Sequence, residues 1–395
     1  MTRAARATTA VEPPAVGTRR APTIMIVAGE ASGDLHGAGL CQALRVLAPD
    51  CRLVGMGGAR MTAAGLDVIA DVTSSAAVGH TEVLGKAPTM YRAYRRLQAT
   101  LRGSGHPDAL VLIDFPEFNL RLAKAARRAG VPVIYYIPPQ IWAWRAGRLA
   151  TIRRRVALVL AVLPFEVALY RRGGVPVEFV GHPVVDALVG APSRAEARAK
   201  LGLADEALVI GLLPGSRHTE VERHLPAMRE ATDRIAAVHP RARFLLARAS
   251  TVDDAIVRAR VGPDIDVVEE GTHTVVRAAD VLLATSGTVT LEAALLGTPM
   301  VVCYRLSWLS EALTRLLIRV PWISLANLTL GRAVVPELYR EGTTGEGLAR
   351  EALRLLEDPG TRAAQRRAFA ELGELLGEPG VSTRAARRVL ALVTR

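Results

Sequence analysis

Residues Ile24–Gly39 read IMIVAGEASGDLHGAG. The run Ile24–Val27 is apolar and reads as a buried strand. The twelve residues from Ala28 to Gly39 hold four glycines, which marks a tight turn leading into a helix. Strand, glycine-rich turn and helix form the opening unit of a parallel α/β domain. Turns of this kind can cradle phosphate on backbone amides. Two acids, Glu30 and Asp34, sit inside this one and would repel a diphosphate. The turn must therefore face something else.

The same alternation continues along the chain. Ile24–Ala28, Leu53–Gly55, Ala109–Asp114, Val133–Ile137, Ala157–Val162 and Glu178–Val180 read as strands, with helices such as Leu120–Ala129 between several of them. A polar helical stretch, Gly190–Ala207, interrupts the series. A second series follows at Leu208–Leu213, Arg243–Ala247, Asp266–Val268, Val281–Ala284 and Met300–Cys303. The expected fold is α/β, with two Rossmann-like domains and a cleft between them. The expected boundaries are a disordered tail over 1–22, a first domain over 23–189, a linker over 190–205, a second domain over 206–360 and helices over 361–395. Open parallel sheets bind ligands at their strand carboxyl ends, so motifs placed just after strands should face the cleft.

Composition narrows the function. A chain of 395 residues is long enough for two cores. Its net charge of +12, carried mostly by arginine, points to acidic partners. Aromatic residues are scarce and no nucleic-acid module is visible, so phosphorylated small molecules or an anionic lipid surface fit better than nucleic acid. The longest apolar candidate, Val156–Tyr170, is broken by Pro164 and Glu166, so no membrane span is expected. The arginine-rich N-terminus lacks the apolar segment of a secretory signal. Cys41, Cys51 and Cys303 show neither pairing nor metal spacing, which suits a reducing compartment. The histidines form no ligand cluster, so no metal and no cofactor are expected.

Two motifs suit a nucleotide. In IGLLPGSRHTEV (Ile210–Val221), Gly215 would let backbone approach a ligand, Ser216 can cap the following helix, and Arg217 adds a cation at its N-terminus. An ordinary turn with a solvated arginine is the plain alternative. In LLATSGTVTLEAALLGTPMVV (Leu282–Val302), Ser286, Gly287 and Thr288 would place small donors at a helix start. Glu292, one turn later, could reach a ribose diol. Here the alternative is a capping Thr288 and a solvated Glu292.

These features, with EASGD, IWAWR and PGSR in order and spacing, resemble the lipid-A-disaccharide synthases, which are inverting glycosyltransferases of GT-B architecture. The resemblance covers nearly the whole chain after the tail. It implies transfer of a sugar from UDP-2,3-diacylglucosamine to the 6-hydroxyl of 2,3-diacylglucosamine 1-phosphate, without a metal at the diphosphate. It also implies a cytoplasmic protein held peripherally on the inner face of the inner membrane. A UDP-sugar epimerase of the same architecture, or a nucleotide-sugar- or lipid-binding protein without catalysis, are the other readings.

In this architecture the second domain holds the donor and the first holds the acceptor. The donor set is then Gly215, Ser216, Arg217, Ser286, Gly287, Thr288 and Glu292. The acid-bearing turn would meet sugar hydroxyls through Glu30, Ser32 and Asp34, although Asp34 could equally cap the next helix. In LIDFPEFNL (Leu112–Leu120), Asp114 matches the family acid and is the expected general base, with Glu30 and Asp34 as rivals. Pro116 should keep Phe115 extended, and a capping role for Asp114 is the alternative. Glu117 stands where the family has aspartate, and its carboxylate is one methylene further from the backbone. Arg217 is expected to neutralise the leaving UDP. IWAWRAGRLATIRRR (Ile141–Arg155) would pack in the cleft and meet anionic lipid or the acceptor phosphate; a solvated basic helix is the alternative. His182 reads as a buried turn residue. Asn327 and Arg332 match another cleft-facing stretch, and Asn327 is the expected further acceptor contact. In the family, Ser74–Leu97 is an apolar membrane-touching helix; here His80, Thr81 and Lys86 interrupt it and Pro88 should split it.

Overall fold

The computed structural model describes residues 20–70, 83–144, 147–269, 271–305 and 320–393. Seven strands form the first sheet: β1 (Thr23–Ala28), β2 (Arg52–Met56), β3 (Asp67–Ala70), β4 (Ala109–Ile113), β5 (Val133–Tyr136), β6 (Leu158–Ala161) and β7 (Val177–Phe179). Six form the second: β8 (Val209–Leu213), β9 (Arg243–Arg248), β10 (Ile265–Glu269), β11 (Val281–Thr285), β12 (Met300–Tyr304) and β13 (Glu337–Tyr339). The spatial orders are β3-β2-β1-β4-β5-β6-β7 and β10-β9-β8-β11-β12-β13, and every pairing is parallel. Strand order reverses between β1 and β4, and again between β8 and β11. At such a switch point adjacent connections leave in opposite directions and open a crevice.

Side-chain alternation builds the layers. Ile24, Ile26 and Ala28 of β1 enter one apolar cluster, and Met25 and Val27 enter another on the opposite face. Burying each of these larger side chains contributes about 1.5–3 kcal/mol. The first cluster continues into the second domain through Leu291, Ala294 and Leu376, so one apolar core joins the two sheets.

The segment expected to be a linker is anchored to the second domain. Its helix, Arg194–Lys200, sends Arg194 and Arg198 to the two carboxylate oxygens of Asp280, at 2.6 and 3.0 Å. At the other end of the chain, helix Pro359–Leu376 packs on helix Val289–Leu295 of the second domain. The chain then crosses back, and helix Val381–Val393 packs on helix Ala31–Leu47 of the first. Asp186 fixes this return by accepting from the amides of Gly380, Val381 and Ser382 at 2.6–3.1 Å. The last helix therefore belongs to the first domain's core.

Of the Ser74–Leu97 stretch, residues 74–82 lie outside the described residues. Pro88 does not split the remainder, because helix Val83–Arg102 runs through it. Proline removes one amide from the helical ladder without ending the helix. Among the described residues, no helix is long and apolar enough to cross a membrane.

Candidate functional site

The four turns that carry the sequence motifs all lie at the two switch points. On the first domain, β1 leads into helix Ala31–Leu47 through Gly29 and Glu30. Glu30 is that helix's N-cap residue, yet its side chain makes no capping bond and stays half-buried. Ser32 is exposed and lines the cleft.

Asp34 behaves differently. Its carboxylate is buried and accepts from the amides of Gly58 (2.7 Å), Arg60 (3.1 Å) and Met61 (3.1 Å). It anchors the start of helix Ala59–Ala63 and has little capacity left for a ligand. The capping alternative thus describes Asp34, with a helix further along the chain as its target, and the acceptor role is withdrawn.

β4 ends at Ile113, and Asp114 and Phe115 follow at φ 46° and 47°. The expected extended Phe115 is overturned: it is left-handed, against the preference of a residue before proline. Two such residues in sequence cost about 1–2 kcal/mol each. Phe115 is the N-cap of helix Pro116–Arg128, and its own side chain makes no capping bond. Asp114 is half-buried at the cleft. Burial, and then the negative charge of Glu30, raise its carboxyl to about 6, against the pull of the Phe115 amide and Arg217. Glu117 is exposed and ion-paired with Arg148. Arg155 donates to the Leu120 carbonyl at 2.7 Å, which ties part of the arginine-rich segment to this helix.

On the second domain, β8 leads into helix His218–Val238 through Gly215–Arg217. Here Glu220 fills the place expected for a ligand. Its Oε2 accepts from the amides of Ser216 (2.9 Å) and Arg217 (3.2 Å), and its Oε1 accepts from the Arg217 guanidinium at 2.8 Å. Gly215, at φ 120°, is needed because a Cβ there would come within 2.6 Å of Glu220. Gly215 therefore admits a side chain of its own chain, and Glu220, not Ser216, caps the helix. Arg217 remains exposed. Burial opposes its charge, but Glu220 and then Glu30 outweigh that and raise its pKa. Arg217 and the two first-domain acids thus feel each other across the cleft.

The turn after β11 leads into helix Val289–Leu295. Ser286 gives its amide to Cys303 (3.0 Å) and its hydroxyl to Ile323 (2.6 Å), so it has no donor left for a phosphate. Thr288 is the N-cap residue, makes no side-chain cap and is exposed. The amides of Gly287, Thr288 and Val289 precede Thr290, whose amide makes the first helical bond, to the Gly287 carbonyl at 3.1 Å. A Cβ on Gly287 would meet open space. Glu292 is half-buried, with one carboxylate oxygen 3.1 Å from His273 Nε2. It is thus a partnered residue, not a solvated one.

Asn327 is fully buried and saturated. Its amide group donates to Val335 (3.0 Å) and Glu337 (2.7 Å), and its oxygen accepts from the amides of Val334 and Val335. It holds the chain leading to β13, so the acceptor contact expected of it is withdrawn. Arg332 is ion-paired with Glu371. His182 is buried as expected, with Nδ1 accepting from Val184.

A cavity of about 100 Å³ lies between the domains, lined by Ser32, His36, Asp114 and Glu166 from the first and by Thr288 and Leu325 from the second. His36 and Glu166 were not anticipated. Burial lowers His36 to about 4, against the pull of Glu292. Burial raises Glu166 to about 7, opposed by bonds from Trp142 Nε1 (3.1 Å) and the Leu163 amide (3.3 Å). Glu166 looks from sequence like an ordinary first-turn acid, and nothing there signals its burial.

A model of the lipid-A-disaccharide synthetase family matches residues 24–387. The lipid-A-disaccharide synthase of Geobacter metallireducens is 42% identical over 381 residues, covering 96% of this chain and 99% of its own. That of Myxococcus xanthus is 42% identical over 94% and 98%. The fold is also that of the Neisseria meningitidis UDP-GlcNAc 2-epimerase bound to UDP-GlcNAc (TM-score 0.62, 13% identity, 93% and 99% coverage). It is likewise that of the calicheamicin glycosyltransferase CalG4 (TM-score 0.60, 16% identity, 95% and 99%). The fold is thus shared by epimerases and transferases, while the sequence match, over nearly the whole length of both chains, is to one kind of enzyme: this chain belongs to the lipid-A-disaccharide synthase family.

Proposed function

We propose that this protein joins UDP-2,3-diacylglucosamine to 2,3-diacylglucosamine 1-phosphate, forming the β-linked disaccharide 1-phosphate and UDP. The observation that carries the reading is an acid of raised pKa, Asp114, set across a cleft from a fixed cation, Arg217, in a chain of this family. Asp114 takes the proton from the acceptor 6-hydroxyl as that oxygen attacks the anomeric carbon. The bond from that carbon to the UDP oxygen breaks on the opposite face, so the configuration inverts. Charge grows on the departing diphosphate, and the Arg217 guanidinium and the amides of Gly287 and Thr288 receive it. Glu292, held on one oxygen by His273, accepts the ribose hydroxyls with the other. Glu30 and Ser32 accept from acceptor hydroxyls.

Both substrates carry acyl chains, so the enzyme works at a lipid surface. Helix Val83–Arg102 supports peripheral binding there: Tyr91 is 61% exposed, beside exposed Arg92, Arg95 and Arg96. Such a face adds apolar contact to attraction for anionic lipid. The inner leaflet, reached from the cytoplasm, is the proposed location.

The test is to incubate the protein with UDP-diacylglucosamine, with and without the acceptor monophosphate. Acceptor-dependent UDP release is expected. Isomerised donor without acceptor would make the protein an epimerase, and binding without turnover would make it a carrier.

A further inference from the structure

Phe115 precedes a proline, and such residues prefer extended backbone. The turn it shares with Asp114 is left-handed at both positions instead. Something must hold it there. Asp114's carbonyl oxygen is turned inward, where it accepts from Asn119 Nδ2 (2.7 Å) and from the Tyr135 hydroxyl (2.7 Å). Asn119 Nδ2 also reaches the Ile113 carbonyl at 3.1 Å. Both side chains are fully buried. Burial raises Tyr135 well above the usual phenol range, so its hydroxyl stays protonated and donates. Asn119 leaves its own Oδ1 buried without a partner among the described residues, which commits the side chain to these carbonyls.

The far side of the turn is fitted too. The Phe115 ring stacks on Phe118 at 5.5 Å and lies over Gly29, where a Cβ would come within 2.3 Å of it. The Asp114 amide donates to Ile137 at 3.2 Å. With amide and carbonyl both fixed, the Asp114 Cα can direct its side chain only along its remaining bond, toward the cleft.

We propose that Tyr135, together with Asn119, is a positioning residue for the general base: it holds the Asp114 backbone in the left-handed form that presents the carboxylate to the acceptor hydroxyl. The role rests on the reading of Asp114 as the base. Without the Tyr135 hydroxyl the turn relaxes toward the extended form that Pro116 favours, and the carboxylate loses its place.

The test is a double-mutant cycle of Tyr135→Phe and Asp114→Asn, read as kcat and both KM values at saturating partner substrate. Misplacing a catalytic group by about 1 Å can cost up to about a hundredfold. Tyr135→Phe leaves one donor on the carbonyl, so a loss of about tenfold in kcat is expected, with each KM within about twofold. In the Asp114→Asn background the same change should cost less than about twofold, because no base is left to aim. Equal losses in both backgrounds would make Tyr135 a packing residue and overturn the proposal, as would a Tyr135→Phe enzyme of parental kcat. A parental rate in Asp114→Asn alone would instead remove the base assignment, and the positioning role with it. Asn119→Ala runs the same cycle should Tyr135→Phe melt early.

Discussion

The two sheets repeat one topology, with β8 and β11 standing in the second where β1 and β4 stand in the first. The turns after these strands are therefore equivalent in position and opposite in chemistry. After β1 and β4 the first domain presents Glu30 and Asp114; after β8 and β11 the second presents Arg217 and the helix-start amides of Gly287, Thr288 and Val289. Topology decides where a ligand can sit, and side chains decide what it is. The means of support also differ. Arg217 is fixed from its own helix by Glu220 and stays a plain exposed cation. Asp114 is held from below by core side chains, in a backbone form it would not choose, where burial raises its proton affinity. A charge that must stay fixed needs only a partner, whereas a charge that must accept a proton needs an environment that makes the proton welcome.

This contrast is broken first at Asp114. Asp114→Asn keeps the shape and removes the basicity, so turnover should fall on the order of a hundredfold or more. A UDP titration should be unchanged if, as proposed, the other domain holds the nucleotide. A loss below about threefold would pass the base role to Glu30. The next largest effect belongs to Arg217. Arg217→Ala removes the proposed donor to the departing diphosphate and should slow turnover roughly a hundredfold. It should also weaken UDP itself, and that double effect separates the two turns. If Arg217→Ala left UDP affinity untouched, the diphosphate would have to sit elsewhere.

The contrast in charge was legible in the sequence, and so were the two domains, because strand, turn and helix recur with clear apolar runs. Two short edge strands, β3 and β13, were not. Asp67–Ala70 and Glu337–Tyr339 are too brief to show a period, and β13 has only half-buried residues. Within the site, sequence could name residue types but not their partners. Asp34 and Asn327 look like ligand residues until the backbone amides that saturate them arrive, from Gly58–Met61 in one case and Val334–Val335 in the other. Glu220 is hidden in the same way. Read along the chain it is one more acid in a helix; in space it takes the amides assigned to the phosphate. Tyr135 shows nothing at all, because a tyrosine in an apolar strand reads as core.

A smaller effect sharpens the donor side. Glu292→Ala should weaken UDP by roughly 1–3 kcal/mol if its carboxylate accepts from the ribose. Turnover at saturating donor should change far less, since the ribose stays bound throughout the reaction. Calorimetric titration of UDP checks this. Unchanged affinity would leave Glu292 as a partner of His273 alone.

The smallest expected effect concerns stability, and its sign is set by the raised pKa. Asp114 binds a proton more tightly in the folded protein, at about 6, than in the unfolded chain, whose value is 3.8. A group shifted upward stabilises the fold fully only below its unfolded pKa, and that contribution is lost as pH rises through the folded value. At pH 7.5 Asp114 is ionised in a site that disfavours charge, which costs stability. Asp114→Asn removes that cost, so the variant should melt higher than the parent at pH 7.5, by about 1–2 °C per kcal/mol recovered. The advantage should shrink as pH falls through 6 and disappear below about 4, where the parent carries its own proton. Thermal melts of both proteins across that range are the measurement. A variant that melts lower at pH 7.5 would mean that Asp114 stabilises the fold as a charged residue, and the first domain's turn would then be a fixed charge like the second's.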